Sequence, residues 1–157
     1  MALHAKHRGK LEVASKVPLK TRDDLSLAYT PGVAAPCEAI AKNPDLAYKY
    51  TLKGRTVAVV TDGSAVLGLG NIGGLAGLPV MEGKCLLFKQ FAGIDAFPIC
   101  LSTQDPDEII KTVKAIAPSL AELIWRTLRH PTVSILKKNS KKKFPFPFFM
   151  MISTARR

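Results

Sequence analysis

No apolar run in these 157 residues is long enough to span a membrane. The opening MALHAKHRGK contains no apolar stretch of the kind that directs secretion, so a cytoplasmic location is expected. Cysteine is sparse and odd in number. Cys37, Cys85 and Cys100 share no C-x-x-C spacing, which argues against a disulfide frame or a thiolate zinc site and points to reduced thiols. Acidic residues are scarce in one region only. Residues 120–157 hold one acidic and nine basic side chains, a charge of +8, whereas residues 1–119 hold 11 and 14, a charge of +3. The net charge of +11 therefore belongs mainly to the tail and says little about the rest. His4 and His7 have a spacing that would suit a metal only on an ordered helix, and at a frayed terminus they are read as a polar arm.

What is present centres on residues 57–91, VAVVTDGSAVLGLGNIGGLAGLPVMEGKCLLFKQF. Val57 to Val60 form a short β-branched run expected of a strand covered on both faces. Thr61-Asp62-Gly63-Ser64 breaks it with turn chemistry. Gly68, Gly70, Gly73, Gly74 and Gly77 follow, so the backbone here must bend tightly or approach something closely. GLGNIG matches the G-x-G-x-x-G pattern, but its glycines come too long after the strand for a dinucleotide fingerprint. The reading is a close-approach turn lining a site. Pro79 is placed in a first helical turn, after which Val80, Leu87, Phe88 and Phe91 form one apolar stripe. Lys84 falls within that stripe. A lysine on a core-facing side either lowers its proton affinity and serves as a base, or snorkels past the edge to water.

Upstream, Thr30-Pro31-Gly32 has the residue order of a type II turn and fixes the direction of Tyr29. Pro36 opens a short helix through CEAIAKN, and a second helical patch carries Tyr48 and Tyr50. Downstream, residues 94–101 form a second strand-like run. Asp105-Pro106-Asp107-Glu108 then starts a helix whose apolar face is Ile109, Ile110, Val113 and Ile116. Strand, helix, strand, helix implies parallel pairing, so the class is α/β: a three-layer, mostly parallel sheet with flanking helices. Beyond Ser119 the pattern stops. KKNSKKKF and FPFPFFMMISTARR set lysines beside phenylalanines, a combination that also occurs in nucleic-acid tracks and membrane-surface segments.

The blocks LSLAYTPGVAAPCEAI, YKYTLKG, TDGSAVLGLGNIG, LPVMEGKCLLFKQFAGIDAFPIC and DPDEIIKTVKAIAPS closely resemble the N-terminal domain of bacterial malic enzymes, from about residue 8 to Ser119. The resemblance implies oxidative decarboxylation of malate to pyruvate and carbon dioxide, with NAD or NADP and a divalent Mn²⁺ or Mg²⁺. It also implies a homodimer in the intact family. The family's catalytic tyrosine lies in a Y-[ST]-P motif, here Tyr29, and its catalytic lysine in a P-V-x-x-G-K region, here Lys84. By resemblance Lys84 accepts the C2 hydroxyl proton and Tyr29 protonates C3 of enolpyruvate. Larger eukaryotic members have an arginine that contacts malate just before the L-G-L-G block. Ala65 stands at that position here, so the contact does not carry over.

The family continues with blocks like FGGINLEDI-AP and FHDDQHGT, which hold its three acidic metal ligands and are not visible after Ser119. Reverse translation with one base added before codon 120 turns LAELIWRTLRHP into FGGINLEDITAP. In the same frame FFMMISTAR can restore FHDDQHGT. These agreements point to a one-base deletion. The expectation is an incomplete substrate-side domain over residues 1–119, an out-of-frame irregular tail over 120–157 and no cofactor domain. On that reading the next strand is missing, the sheet edge is open and the 157-residue chain is inactive by itself. No nucleic acid and no membrane is expected as a partner. The competing reading is a non-enzymatic module that uses the basic tail on nucleic acid or anionic membrane.

Overall fold

The computed structural model describes residues 1–125 and 148–150. Its sheet comprises β1 (Thr56–Thr61), β2 (Asp95–Cys100), β3 (Glu122–Trp125) and β4 (Phe148–Met150). All pair in parallel in the order β2-β1-β3-β4, with Thr56 opposite Asp95 and Val57 opposite Glu122. Parallel neighbours need long crossovers. Helix α5 (Gly73–Ala92) supplies the one from β1 to β2, and α6 (Pro106–Ile116) lies between β2 and β3.

Every residue of β1 is buried, as a central strand covered on both faces requires. Its side chains alternate between two cores. Ala58 and Val60 pack with Ile109, Ile110 and Val113 of α6 and with Leu120. Val59 packs on the other face with Met81 and Cys85 of α5, joined by Leu11, Phe88, Ala96 and Cys100. The three-layer α/β arrangement is therefore as the sequence implies. The start of α6 follows the sequence signal closely. Asp105 accepts from the amides of Asp107 (2.7 Å) and Glu108 (3.3 Å), and Pro106 occupies the first turn. Glu108 does not reach back to the cap; its carboxylate accepts from the Thr103 hydroxyl.

Three expectations change here. Helix α5 begins at Gly73, so Pro79 lies inside it and not in its first turn. Proline has no N–H to give the Leu75 carbonyl, and that site is on an exposed face where water can take its place. The buried face of α5 is Gly74, Gly77, Met81 and Cys85, whereas Val80, Leu87 and Phe91 are exposed. Small residues let the helix axis approach the sheet, and they outweigh the larger apolar residues of the expected stripe. Finally, β3 and β4 fall within residues 120–157, where irregular chain and an open edge were expected. Ile124 and Trp125 favour extended chain whatever the origin of this segment, and β3 pairs alongside β1, which makes β1 internal. Residues 126–147, with the lysine run, and residues 151–157 lie outside the described residues.

Where the sequence reading has one domain, the chain divides into two compact units. One comprises residues 12–54 and the other holds residues 1–11 together with the chain from Arg55 onward. The first contains α2 (Arg22–Ala28), α3 (Ala34–Lys42) and α4 (Ala47–Tyr50). Helix α3 starts two residues before Pro36, which still falls in its first turn, where a missing N–H is harmless. In the second unit, α1 (Ala2–His7) is followed by an arm that packs on α5: Lys10 Nζ donates to the Pro79 carbonyl at 2.7 Å.

Candidate active site

In open parallel sheets, ligands gather at the carboxyl ends of strands where the chain order reverses. Here that place is the end of β1, because β2 lies on one side of it and β3 on the other. The residues leaving it, Thr61, Asp62, Gly63 and Ser64, are all buried. The turn is held from within: Gly63 N donates to Thr61 Oγ1 at 3.0 Å and Ser64 N to Asp62 Oδ1 at 2.9 Å. It also packs directly on the helix that follows. Gly63 has φ +70°, and a Cβ there would lie 2.0 Å from the Gly73 carbonyl oxygen. A Cβ on Gly74 would lie 2.2 Å from the Leu101 carbonyl oxygen. Close approach, expected across the glycine run, is thus concentrated at Gly63 and Gly74.

Gly68 and Gly70 serve a different purpose. Both have positive φ, and no described atom comes within 4 Å of a Cβ placed on either. They make a tight hairpin in which Val66 and Gly70 exchange backbone hydrogen bonds at 2.8 and 2.9 Å. Val66 is buried and roots the loop, while Leu67 and Leu69 project from it, exposed. The loop's far end is tied by side-chain amides. Asn71 Nδ2 donates to Gln104 Oε1 (3.2 Å), and Gln104 Nε2 donates to Asn71 Oδ1 (2.9 Å) and to the Asp62 carbonyl (3.5 Å).

Lys84 is half-buried on α5, next to the buried Cys85, three residues after Met81 and seven after Gly77, at the edge of the buried face. Its charge is felt locally. Burial pushes the Cys85 thiol up to about 12, Cys100 and Glu82 add to that rise, and the Lys84 ammonium opposes it. Burial, then Glu82, likewise raises Cys100. The side chain lies at the edge of the buried face and is only partly covered, between the two alternatives of a core-facing base and a lysine that reaches water.

Tyr29 belongs to the other unit, residues 12–54. It ends α2, where its amide donates to the Leu25 carbonyl at 2.9 Å and its own carbonyl accepts from Val33 at 2.7 Å. Its side chain is 66% exposed. The turn after it is not type II. The Thr30–Pro31 peptide is cis and Gly32 lacks the positive φ that such a turn demands. Gly32 is needed for another reason: a Cβ there would sit 2.5 Å from the Leu27 carbonyl oxygen, at the end of α2. The start of α2 is a capping box, in which Thr21 Oγ1 accepts from Asp24 N at 3.0 Å and Asp24 Oδ2 accepts from Thr21 N at 2.9 Å. Backbone amides of Lys20 and Thr21 hold the Asp24 carboxyl below the usual carboxylate range.

Among the described residues there is no group of three or more His, Cys, Asp or Glu able to hold a metal ion. His4 and His7 do share one helix, α1, without a third ligand in that set. The described residues thus do not fit the divalent metal that the resemblance implies. They do not fit the nicotinamide either. The G-x-G-x-x-G glycines lie in the β1-to-α5 connection, but Gly68 and Gly70 form an exposed hairpin seven and more residues after the strand, and not the tight first turn of a dinucleotide fingerprint. Sequence reasoning missed Asn71 and Gln104 as partners. The only signal was a polar residue inside the glycine run. Among the described residues, no helix is long and apolar enough to cross a membrane.

Residues 8–113 match the family model described as malic enzyme, N-terminal domain. The NAD-dependent malic enzyme of Geobacillus stearothermophilus is 56% identical over 141 residues, covering 90% of this chain and 30% of that protein. The NADP-dependent malic enzyme of Escherichia coli is 49% identical over 141 residues, covering 90% of this chain and 19% of that protein. Among solved structures, the malic enzyme from Pyrococcus horikoshii superposes with a TM-score of 0.87 at 48% identity, covering 96% of this chain and 37% of that one. The chain therefore spans little more than a third, at most, of the length of these relatives. With more than half of its residues matched by the family model and the same fold in a solved relative, the chain belongs to the malic enzyme family.

Proposed function

We propose that this chain carries the substrate-side proton-transfer residues of an enzyme that oxidatively decarboxylates malate to pyruvate and carbon dioxide. The observation that carries this reading is the family match over residues 8–113, which contains both Tyr29 and Lys84. In this proposal Lys84 takes the proton from the C2 hydroxyl while hydride leaves C2, and Tyr29 gives a proton to C3 after carbon dioxide departs. The half-buried position of Lys84 supports its use as a base partly shielded from bulk water. Hydride acceptance is the chemistry of NAD or NADP, both of which occur in the names of the relatives. Mn²⁺ or Mg²⁺ belongs to the same reading, as do a cytoplasmic setting and a homodimer. No step is assigned to the metal or the nicotinamide on the described residues.

We further propose that residues 1–119 carry the N-terminal-domain sequence of the family and that residues 120–157 are a shifted reading frame, as the reverse translation indicates. The experiment has two arms. The purified 157-residue chain is assayed for malate-dependent reduction of NAD or NADP, with and without Mn²⁺, and none is expected. The gene is then read across codon 120, one base is restored, and activity is expected to return and to be abolished by Lys84→Ala. Robust turnover by the short chain, or full activity of the Lys84→Ala protein, would overturn this assignment.

A further inference from the structure

We infer that the tip of the β1–α5 loop, Leu67 to Asn71, is a lid at the carboxyl end of β1, held shut by the reciprocal amide pair of Asn71 and Gln104. Three observations converge. The foot of the loop is fixed, because Val66 is buried and Ile72 N donates to the Gly63 carbonyl at 3.1 Å. The tip is not packed: Leu67 and Leu69 are 67% and 63% exposed, and no described atom lies within 4 Å of a Cβ placed on Gly68 or Gly70. The tip's side-chain tie to another element is the amide pair, which bridges 33 residues of sequence to the loop between β2 and α6.

The geometry of the pair suits a latch. Each amide both donates to and accepts from the other, so the two bonds form and break together. Gln104 also reaches the Asp62 carbonyl and Asn71 Oδ1 also accepts from Gly73 N at 3.3 Å, which ties the latch to both ends of the loop. Both side chains are exposed, so water competes for every bond. The closed state is therefore favoured only modestly and the lid can open. Gly73, with φ +75° and open space at its Cβ position, lies at the hinge between loop and helix. The identity of what the lid covers rests on the proposed function, where it is malate; the latch itself does not.

The test is amide hydrogen exchange on the full 157-residue chain, comparing the native protein with Gln104→Ala, Asn71→Ala and the double variant. Exchange at Gly70 and Ile72 is expected to quicken about three- to tenfold in each single variant, as loss of exposed hydrogen bonds implies. The double variant should add nothing further, and the amides of Val57 to Val60 should be unchanged. Gln104→Glu keeps size and an acceptor but loses the donor, and should give a smaller increase; it serves if an alanine variant fails to fold. No change at Gly70 and Ile72, an additive double variant, or a parallel rise in β1 would overturn the latch. In the frame-restored protein, added L-malate should slow exchange at Gly70 and Ile72. If it does not, while the variant pattern holds, the malate reading falls and the lid stands.

Discussion

Gly63 and Gly68 share a backbone conformation and differ in surroundings, which makes their alanine variants a controlled pair. Their φ values are +70° and +78°. An L-residue in that region costs about 1–2 kcal/mol, and Gly68→Ala should lose only that, since no described atom is near the added methyl. Gly63→Ala meets the Gly73 carbonyl oxygen at 2.0 Å and its carbon at 2.1 Å. Backbone on both sides must shift, and forced overpacking of this kind adds roughly 1–3 kcal/mol. The expected order is a loss of about 1–2 kcal/mol for Gly68→Ala and about 2–5 kcal/mol for Gly63→Ala. Urea denaturation followed by far-ultraviolet circular dichroism measures both, with equal m-values required for the comparison. If the two variants were equally stable, the close packing of the β1 turn on α5 would not be the constraint described above.

Three further outcomes are expected. Met81, fully buried between α5 and the sheet, should lose about 2–5 kcal/mol on change to alanine, whereas Leu75→Ala, 85% exposed on the same helix, should stay within about 0.5 kcal/mol by the same denaturation. In the folded chain at pH 8, iodoacetamide should modify the exposed Cys37 and spare Cys85 until denaturant is added; peptide mapping that finds native Cys85 modified as fast as Cys37 would refute its burial. Two pH effects have opposite signs. Cys85 is raised on folding, so its contribution is present below the ordinary thiol range, about 8.5, and is lost as pH climbs towards about 12. Asp24 is lowered, so its cap is intact above the ordinary carboxylate value, about 3.9, and loosens as pH falls through its depressed value, which amide exchange in α2 should register.

Much of the fold was legible because its signals are local. The run Val57–Val60 marks a doubly covered strand without reference to anything else, and Asp105-Pro106 starts α6 through a cap formed within four residues. The alternation of strand and helix then leaves few topologies for a parallel sheet. Tyr29 was legible as a catalytic candidate only through the resemblance, whereas Lys84 was also singled out by its place on the helix. Tyr29 is exposed at a helix end, and Lys84 is half-buried at the edge of the face formed by Gly77, Met81 and Cys85.

The sequence by itself determined the class, the central strand, the capped helix and the family. Only the tertiary structure decided how α5 is rotated, which glycines are crowded and what ties the loop after β1. An apolar helix such as α5 offers several faces of similar hydropathy, and the sheet selects the one whose small residues, Gly74 and Gly77, permit close approach. The same holds for Gly63 and Gly68: identical dihedral preference, and a difference set wholly by a carbonyl ten residues further along the chain. Asn71 and Gln104, 33 residues apart, carry no local mark of their pairing, because a hydrogen bond between distant side chains exists only once two strands have brought their loops together.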